Sequence, residues 1–250
     1  MSRLAAFTLS AMVLAPLPGR LMAACSDPPA PQVNWMECDK RGADLRGVDL
    51  TGAILTRARL GGADLREARL SGADLNFADL QKANLRGALL DKARTLGANL
   101  TQADLSDAQL SDARMEKTIL VKAILDRAQM RKTQLYQADL SGASLIKSIL
   151  DEASLHQAQL VGADLSGSRM VKAKLTAANL SGAKLHEANL EKADLSRAQI
   201  YKADFTRANL ASANFGDAVL YATRFDGARL DGALWIDRRR YRIDSIGECR

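Results

Sequence analysis

Residues able to do chemistry are few in this 250-residue chain, and they are scattered. His156 and His186 are the two histidines, thirty positions apart. The three cysteines, Cys25, Cys38 and Cys249, make no C-x-x-C pair. No H-E-x-x-H zinc motif, G-x-S-x-G nucleophile elbow or phosphate-cradling glycine loop occurs. Aspartates are plentiful, as at Asp44, Asp64, Asp74 and Asp104. Carboxylates do acid–base work only where a cleft pushes one pKa away from its ordinary value. These aspartates recur at a fixed spacing, which makes them a property of the chain's period. No catalytic residue, metal ligand or cofactor-binding residue is therefore assigned, and neither a cofactor nor a small-molecule substrate is expected.

The period is five. Taking a large apolar residue as its centre, thirty-nine pentads run through residues 43–235 without an insertion or deletion. Thirty centres are Leu, and the others are Thr95, Met115, Met130, Met170, Ile200, Phe205, Phe215, Phe225 and Trp235. Two positions before the centre stands Ala, replaced only by Val48, Thr118, Thr133, Ser148, Ser168 and Thr223. On an α-helix, five residues turn about 500°, so the leucines would spiral around all sides. On a straight strand they would alternate faces. A short extended piece followed by a corner puts both the Ala and the centre inward. Repeated corners close the chain into a tube whose stacked turns touch only their neighbours, a β-solenoid. All five prolines (Pro16, Pro18, Pro28, Pro29 and Pro31) precede the repeat, as a ladder that needs every N–H requires. Glycine favours the second position after the centre, as at Gly47, Gly72 and Gly142, where a tight corner is expected.

The pentads Ala63-Asp64-Leu65, Ala83-Asn84-Leu85, Ala103-Asp104-Leu105, Ala188-Asn189-Leu190 and Ala208-Asn209-Leu210 resemble those of the pentapeptide repeat family. The resemblance covers about three quarters of the chain and implies an all-β fold, a right-handed quadrilateral β-helix. Four pentads per turn, implied by the family, would stack residues twenty apart. With layers about 4.8 Å apart, that gives about ten coils and a rod of about 45 Å.

The ends differ from the repeat. Residues 1–24 read as a secretory signal: Arg3 opens it, an apolar run over 4–17 is too short to span a bilayer as a helix, and small residues follow. Residues 25–42 read as an N-terminal cap. Cys25 and Cys38 are expected to form a disulfide in an oxidising compartment, with Trp35 covering the open end. Met22-Ala23-Ala24-Cys25 also resembles a bacterial lipobox, in which Cys25 would carry lipid and contact the membrane. Thr95, the single polar centre, is expected to bond its hydroxyl to backbone. Phe205 should lie under Phe225, and Phe215 under Trp235, plugging the tube. Residues 236–250, with their arginines and Cys249, read as a C-terminal cap or tail.

Function must reside on the outward positions. Net charge is +6, and opposite charges are often adjacent, as at Arg66-Glu67 and Asp126-Arg127. Ile119, Val121, Ile124, Ile146 and Ile149 form a candidate patch for a protein partner. These features point to a non-catalytic, exported rod, periplasmic or secreted, that binds another protein. The resemblance offers an alternative, since some members of the family mimic DNA and protect topoisomerases. That role requires a strongly negative surface and a cytoplasmic location, and a mildly basic chain is not expected to engage nucleic acid or its partners this way.

Overall fold

The computed structural model describes residues 24–236. The signal reading over 1–24, apart from Ala24, lies outside them, as do the arginine-rich tail beyond residue 236 and Cys249. Parallel bridges join residues twenty apart, starting at Asn34 with Ile54 and ending at Asn214 with Leu234. Four pentads therefore make one turn, and each rung of each ladder is a single bridged residue.

One pentad explains the rest. The Leu65 amide donates up the rod to the Asn84 carbonyl at 2.7 Å, and the Asn84 amide returns a bond to Ala63 at 2.9 Å. At the corner the Ala63 amide donates back to the Leu60 carbonyl at 3.0 Å. This closes a four-residue turn around Gly61 and Gly62. The second corner residue has a positive φ throughout, from +67° at Gly87 to +52° at Ala222. That region suits glycine, and other residues enter it at a cost. The residues that do so here are mostly Lys, Arg, Glu, Gln and Asp; none is Val, Ile or Thr, whose branched Cβ would clash. Gly97 has a further reason. A Cβ there would lie 2.9 Å from the Phe77 ring one coil below.

Leu and Ala fill the bore almost without exposure. Each centre stacks on its equivalent twenty residues away, so a leucine column rises along each inner wall. Polar substitutions at the Ala position are resolved by backbone acceptors: Thr133 donates to the Leu110 carbonyl at 2.8 Å, Thr223 to Ile200 at 2.6 Å and Ser148 to Leu145 at 2.7 Å. The Ser168 hydroxyl is buried without a partner. Thr95 departs from expectation. Its hydroxyl meets the Thr118 hydroxyl at 2.9 Å, while Thr118 spends its own proton on the Thr95 carbonyl at 2.7 Å. Thr95 must therefore donate to a side chain rather than to backbone. Thr is smaller than Leu, and a cavity of about 10 Å³ remains among Leu75, Leu90, Leu100, Leu110, Met115 and their neighbours.

Both ends are closed by aromatic residues. The coil register reaches back into the stretch assigned to the cap. Trp35 holds a centre position with no exposed surface, and Cys38 stands where the repeat has Ala. The period is hidden there because Trp35 and Lys40 replace leucine. The Trp35 indole donates to the Asp27 carbonyl at 3.2 Å, and Lys40 Nζ sits 3.9 Å from its ring centre while donating to the Cys25 carbonyl at 2.8 Å. The sulfurs of Cys25 and Cys38 stand at bonding distance, with Cα atoms 5.4 Å apart. At the other end Phe205 stacks with Phe225 at 5.3 Å, and Phe215 meets Trp235 at 5.1 Å.

Removing the Thr118 hydroxyl alone orphans Thr95. Thr118→Ala should lower the urea midpoint by an amount equivalent to about 1–3 kcal/mol. Adding Thr95→Leu fills the cavity and removes the orphan, so the double variant should recover most of that loss. Strict additivity of the two changes in urea melts would contradict the pairing.

Candidate functional site

The outward surface consists of the residue before each centre and the two corner residues after it. Asp or Asn before the centre has a local task. Its Oδ1 accepts the amide two residues on, the first N–H of the corner. Ser106 donates to Asp104 at 2.9 Å, Thr51 to Asp49 at 3.0 Å and Ser181 to Asn179 at 3.1 Å. This side-chain turn satisfies an amide that the coil-to-coil ladder leaves over. At four corners where the residue before the centre is Arg, Gln or Ser, the acceptor comes from the coil below. Leu96 donates to Asn76, Ser111 to Asp91, Ile146 to Asp126 and Val171 to Asp151, all at 2.9–3.1 Å. Sequence reading missed these four acceptors. The signal was available: each stands twenty residues before a corner that lacks its own Asp or Asn.

Many of the carboxylates are also ion-paired. Arg41, Arg46 and Arg66 each grip the Asp two residues earlier through two nitrogens. Arg127 does the same to Asp107 one coil below. Asp151 is a hub, held by Arg131 at 3.0 Å and Arg169 at 2.9 Å with only 11% of its side chain exposed. The hydrogen bonds from Arg41 and Arg46 hold the carboxyls of Asp39 and Asp44 down at about 2. Thr51, Arg66 and Arg127 lower Asp49, Asp64 and Asp107 in the same way. At Asp194 burial pushes upward, but hydrogen bonds from Ser196, Thr176 and Asn214 outweigh it.

The candidate patch spreads around the rod. Ile119, Val121 and Ile124 wrap one corner, and Ile146 and Ile149 wrap the next. Ile119 and Ile124 are exposed, whereas the other three are half-buried. In the ladders Ile119 lies between Asn99 and Asp139, Ile124 between Asp104 and Ser144, and Ile149 between Gln129 and Arg169. The two histidines stand on different edges. His156 stacks on Tyr136 at 5.7 Å, and His186 lies 3.2 Å from Glu187. Among the described residues no group of three or more His, Cys, Asp and Glu is arranged to hold a metal, and no helix is long and apolar enough to cross a membrane.

Comparison with known proteins agrees with this geometry. The family model "Pentapeptide repeats" matches eight copies over residues 41–72, 68–107, 108–145, 138–176, 173–210 and 198–234. Among solved structures the chain is similar to HetL, a pentapeptide repeat protein involved in heterocyst differentiation regulation from the cyanobacterium Nostoc sp. Strain PCC 7120. Identity is 33%, coverage is 84% of this chain and 92% of HetL, and the TM-score is 0.65. QnrB1, a plasmid-mediated fluoroquinolone resistance protein, is 18% identical over 74% of this chain and 90% of its own, with a TM-score of 0.41. A pentapeptide repeat protein from the Arabidopsis thaliana thylakoid lumen is 27% identical over 47% of this chain and 68% of its own, with a TM-score of 0.22. No curated protein matches the sequence.

Acid should expose the role of the aspartates. Their folded pKa values lie below the unfolded value of about 3.9, so the stability they contribute is complete above about pH 4 and is lost as pH falls towards 2. Thermal melts should be flat from about pH 5 to 8 and decline from about pH 4 to 2. Asp44→Asn with Asp64→Asn keeps both amide acceptors but removes the ionised form, so it should make that decline shallower by lowering stability at pH 7 while leaving it little changed near pH 2. Asp104→Ala removes an acceptor and should cost about 1 kcal/mol at pH 7, while Asp104→Asn should not. An unchanged acid limb in the double Asn variant would contradict this account.

The chain belongs to the pentapeptide repeat family, a group of generally non-enzymatic structural and binding proteins, and its repeat β-solenoid is the scaffold on which any binding surface must be built.

Proposed function

We propose that this chain is a non-catalytic rod, a right-handed β-helix of about ten coils, that is exported to the bacterial envelope and binds another protein there. The observation that carries the reading is a regular outward surface on which many polar groups already serve a corner or an ion pair. Such a surface offers rigid, repeated contacts and few groups poised for bond making. HetL is involved in the regulation of differentiation, a role that a binding rod can fill.

Export rests on two features. Residues 1–24 have the layout of a secretory leader. The approach of Cys25 and Cys38 suits an oxidising compartment. A sulfur in a disulfide cannot also carry a lipid, so the same approach favours a soluble periplasmic or secreted protein over a lipid-anchored one. The DNA-mimicking alternative is less well supported. It needs rows of unpaired negative charge, and the aspartates at 39, 44, 64, 107 and 151 are paired with arginines.

Intact mass and N-terminal sequencing of the protein recovered from cells should show cleavage before Cys25 and a mass two hydrogens lighter than the reduced chain. A retained leader, or an added acyl mass, would overturn the soluble exported reading. Affinity capture from an envelope fraction should recover a specific protein. A rod that captures none, in a strain whose envelope is unaffected by its deletion, would count against a binding role. Reducing the Cys25–Cys38 pair should lower stability by about 3 kcal/mol if the bond forms in the cell.

A further inference from the structure

One strip of the rod, a face column together with the corner that follows it, is almost free of charge, although the next face column, from Asp104 to Arg224, is not. The twenty-residue register brings the triplets Asn99/Thr101/Gln102 through Val219/Tyr221/Ala222 into one strip seven coils long. Among these twenty-one outward residues only Lys122, Asp139 and Lys202 are charged. On each of the two edges that follow it in the chain, more than half of the corresponding residues are charged. Below Asn99 the same edge carries Arg41, Arg59, Asp79 and Lys82, so the depletion belongs to the later coils.

The strip also collects apolar surface. Ile119, Val161, Tyr201, Val219 and Tyr221 are exposed on it, with Tyr221 65% exposed and its ring stacked 5.2 Å from Tyr201. Between them run Gln159, Asn179, Gln199, Ser141 and Ser181. At the corner itself Gly142, Gly162 and Gly182 follow one another, so no side chain there holds a facing surface away. Charge depletion with aromatic enrichment is the compositional mark of an interface centre.

We propose that this edge pairs two copies of the chain side by side, about a two-fold axis parallel to the rod. Two molecules that each carry a net positive charge approach most easily where neither presents charge. With the axis along the rod, every rung meets its own copy: Val121 meets Val121, Val161 meets Val161, and Tyr201 meets Tyr201. Lys122 then faces the column of Ile119. An axis across the rod at Val161 would instead set Lys122 of one copy against Lys202 of the other. The strip is about 30 Å long at about 4.8 Å per coil, and it offers on the order of 500 Å² per copy. That total of about 1,000 Å² sits at the low end for specific association, so a weak dimer with a Kd on the order of 10–100 μM is expected.

Sedimentation equilibrium of the full chain recovered from cells should show a monomer–dimer equilibrium in this range. Val161→Glu should weaken it at least about tenfold, while Val171→Glu, the same change on another edge, should leave it alone. In a Cys249→Ser background, Ser141→Cys should form a self-linked dimer on mild oxidation. A chain that stays monomeric at about 200 μM would overturn the proposal, as would a dimer that tolerates Val161→Glu. Linking only between Ser141→Cys and Ser181→Cys chains would overturn the parallel arrangement. If the chain stays monomeric and Val161→Glu instead removes a different captured protein, the strip is that protein's dock and the self-pairing is refuted.

Discussion

The structure depends on one constraint: every coil must present its backbone to the next in a register of twenty residues. Each pentad sends an amide up the rod and receives one from above, at the distances seen between Leu65, Asn84 and Ala63. No single bridge is longer than one residue, so no strand stands alone. What makes the ladder continuous is the unbroken five-residue spacing. An inserted residue would turn every later leucine out of the bore and bring corner residues in, and none occurs across 43–235. Hydrophobic filling and backbone pairing thus reinforce one another, which is the consistency expected of a sequence that specifies one fold.

Seen from the ladder, the outer residues divide into those that serve it and those that do not. The Asp or Asn before a centre serves it by taking up the corner amide. Asn76, Asp91, Asp126 and Asp151 serve it from one coil below. Arg41, Arg46 and Arg66 serve it at one remove, by holding those carboxylates ionised. The rest, including Val161, Tyr201 and Tyr221, have no such employment, and a surface for a partner is to be sought among them.

Most of the fold was legible because the period is exact in the positions that matter. Leu and Ala identify the bore, the absence of proline identifies the ladder, and the glycines identify the corner. The paired aromatics at 205 and 225, and at 215 and 235, follow once the four pentads per turn implied by the family resemblance are added to that period. Legibility failed where residue type departed from the period. Trp35 and Lys40 hold centre positions without looking like them, because an end coil faces a cap on one side and can let Lys40 reach out over the indole. The partnership of Thr95 with Thr118 was hidden because the two lie on successive coils, twenty-three residues apart. The surface was harder still. Five isoleucines and valines close in sequence wrap two corners, whereas the uncharged edge draws residues from seven coils and is invisible until the chain is wound.

The inward pair of Ala and Leu has a consequence for how kinship among such proteins is weighed. Two residues in every five are fixed by the interior alone, and the Asp or Asn that follows the Ala is favoured by its corner amide. Unrelated lineages solving the same winding problem would share that much without sharing any partner. The 33% identity with HetL is no larger than the two positions in five that a common lining alone would fix. Ancestry of purpose, if it exists, would be written in the remaining columns, where drift is cheap and selection has to leave its own record.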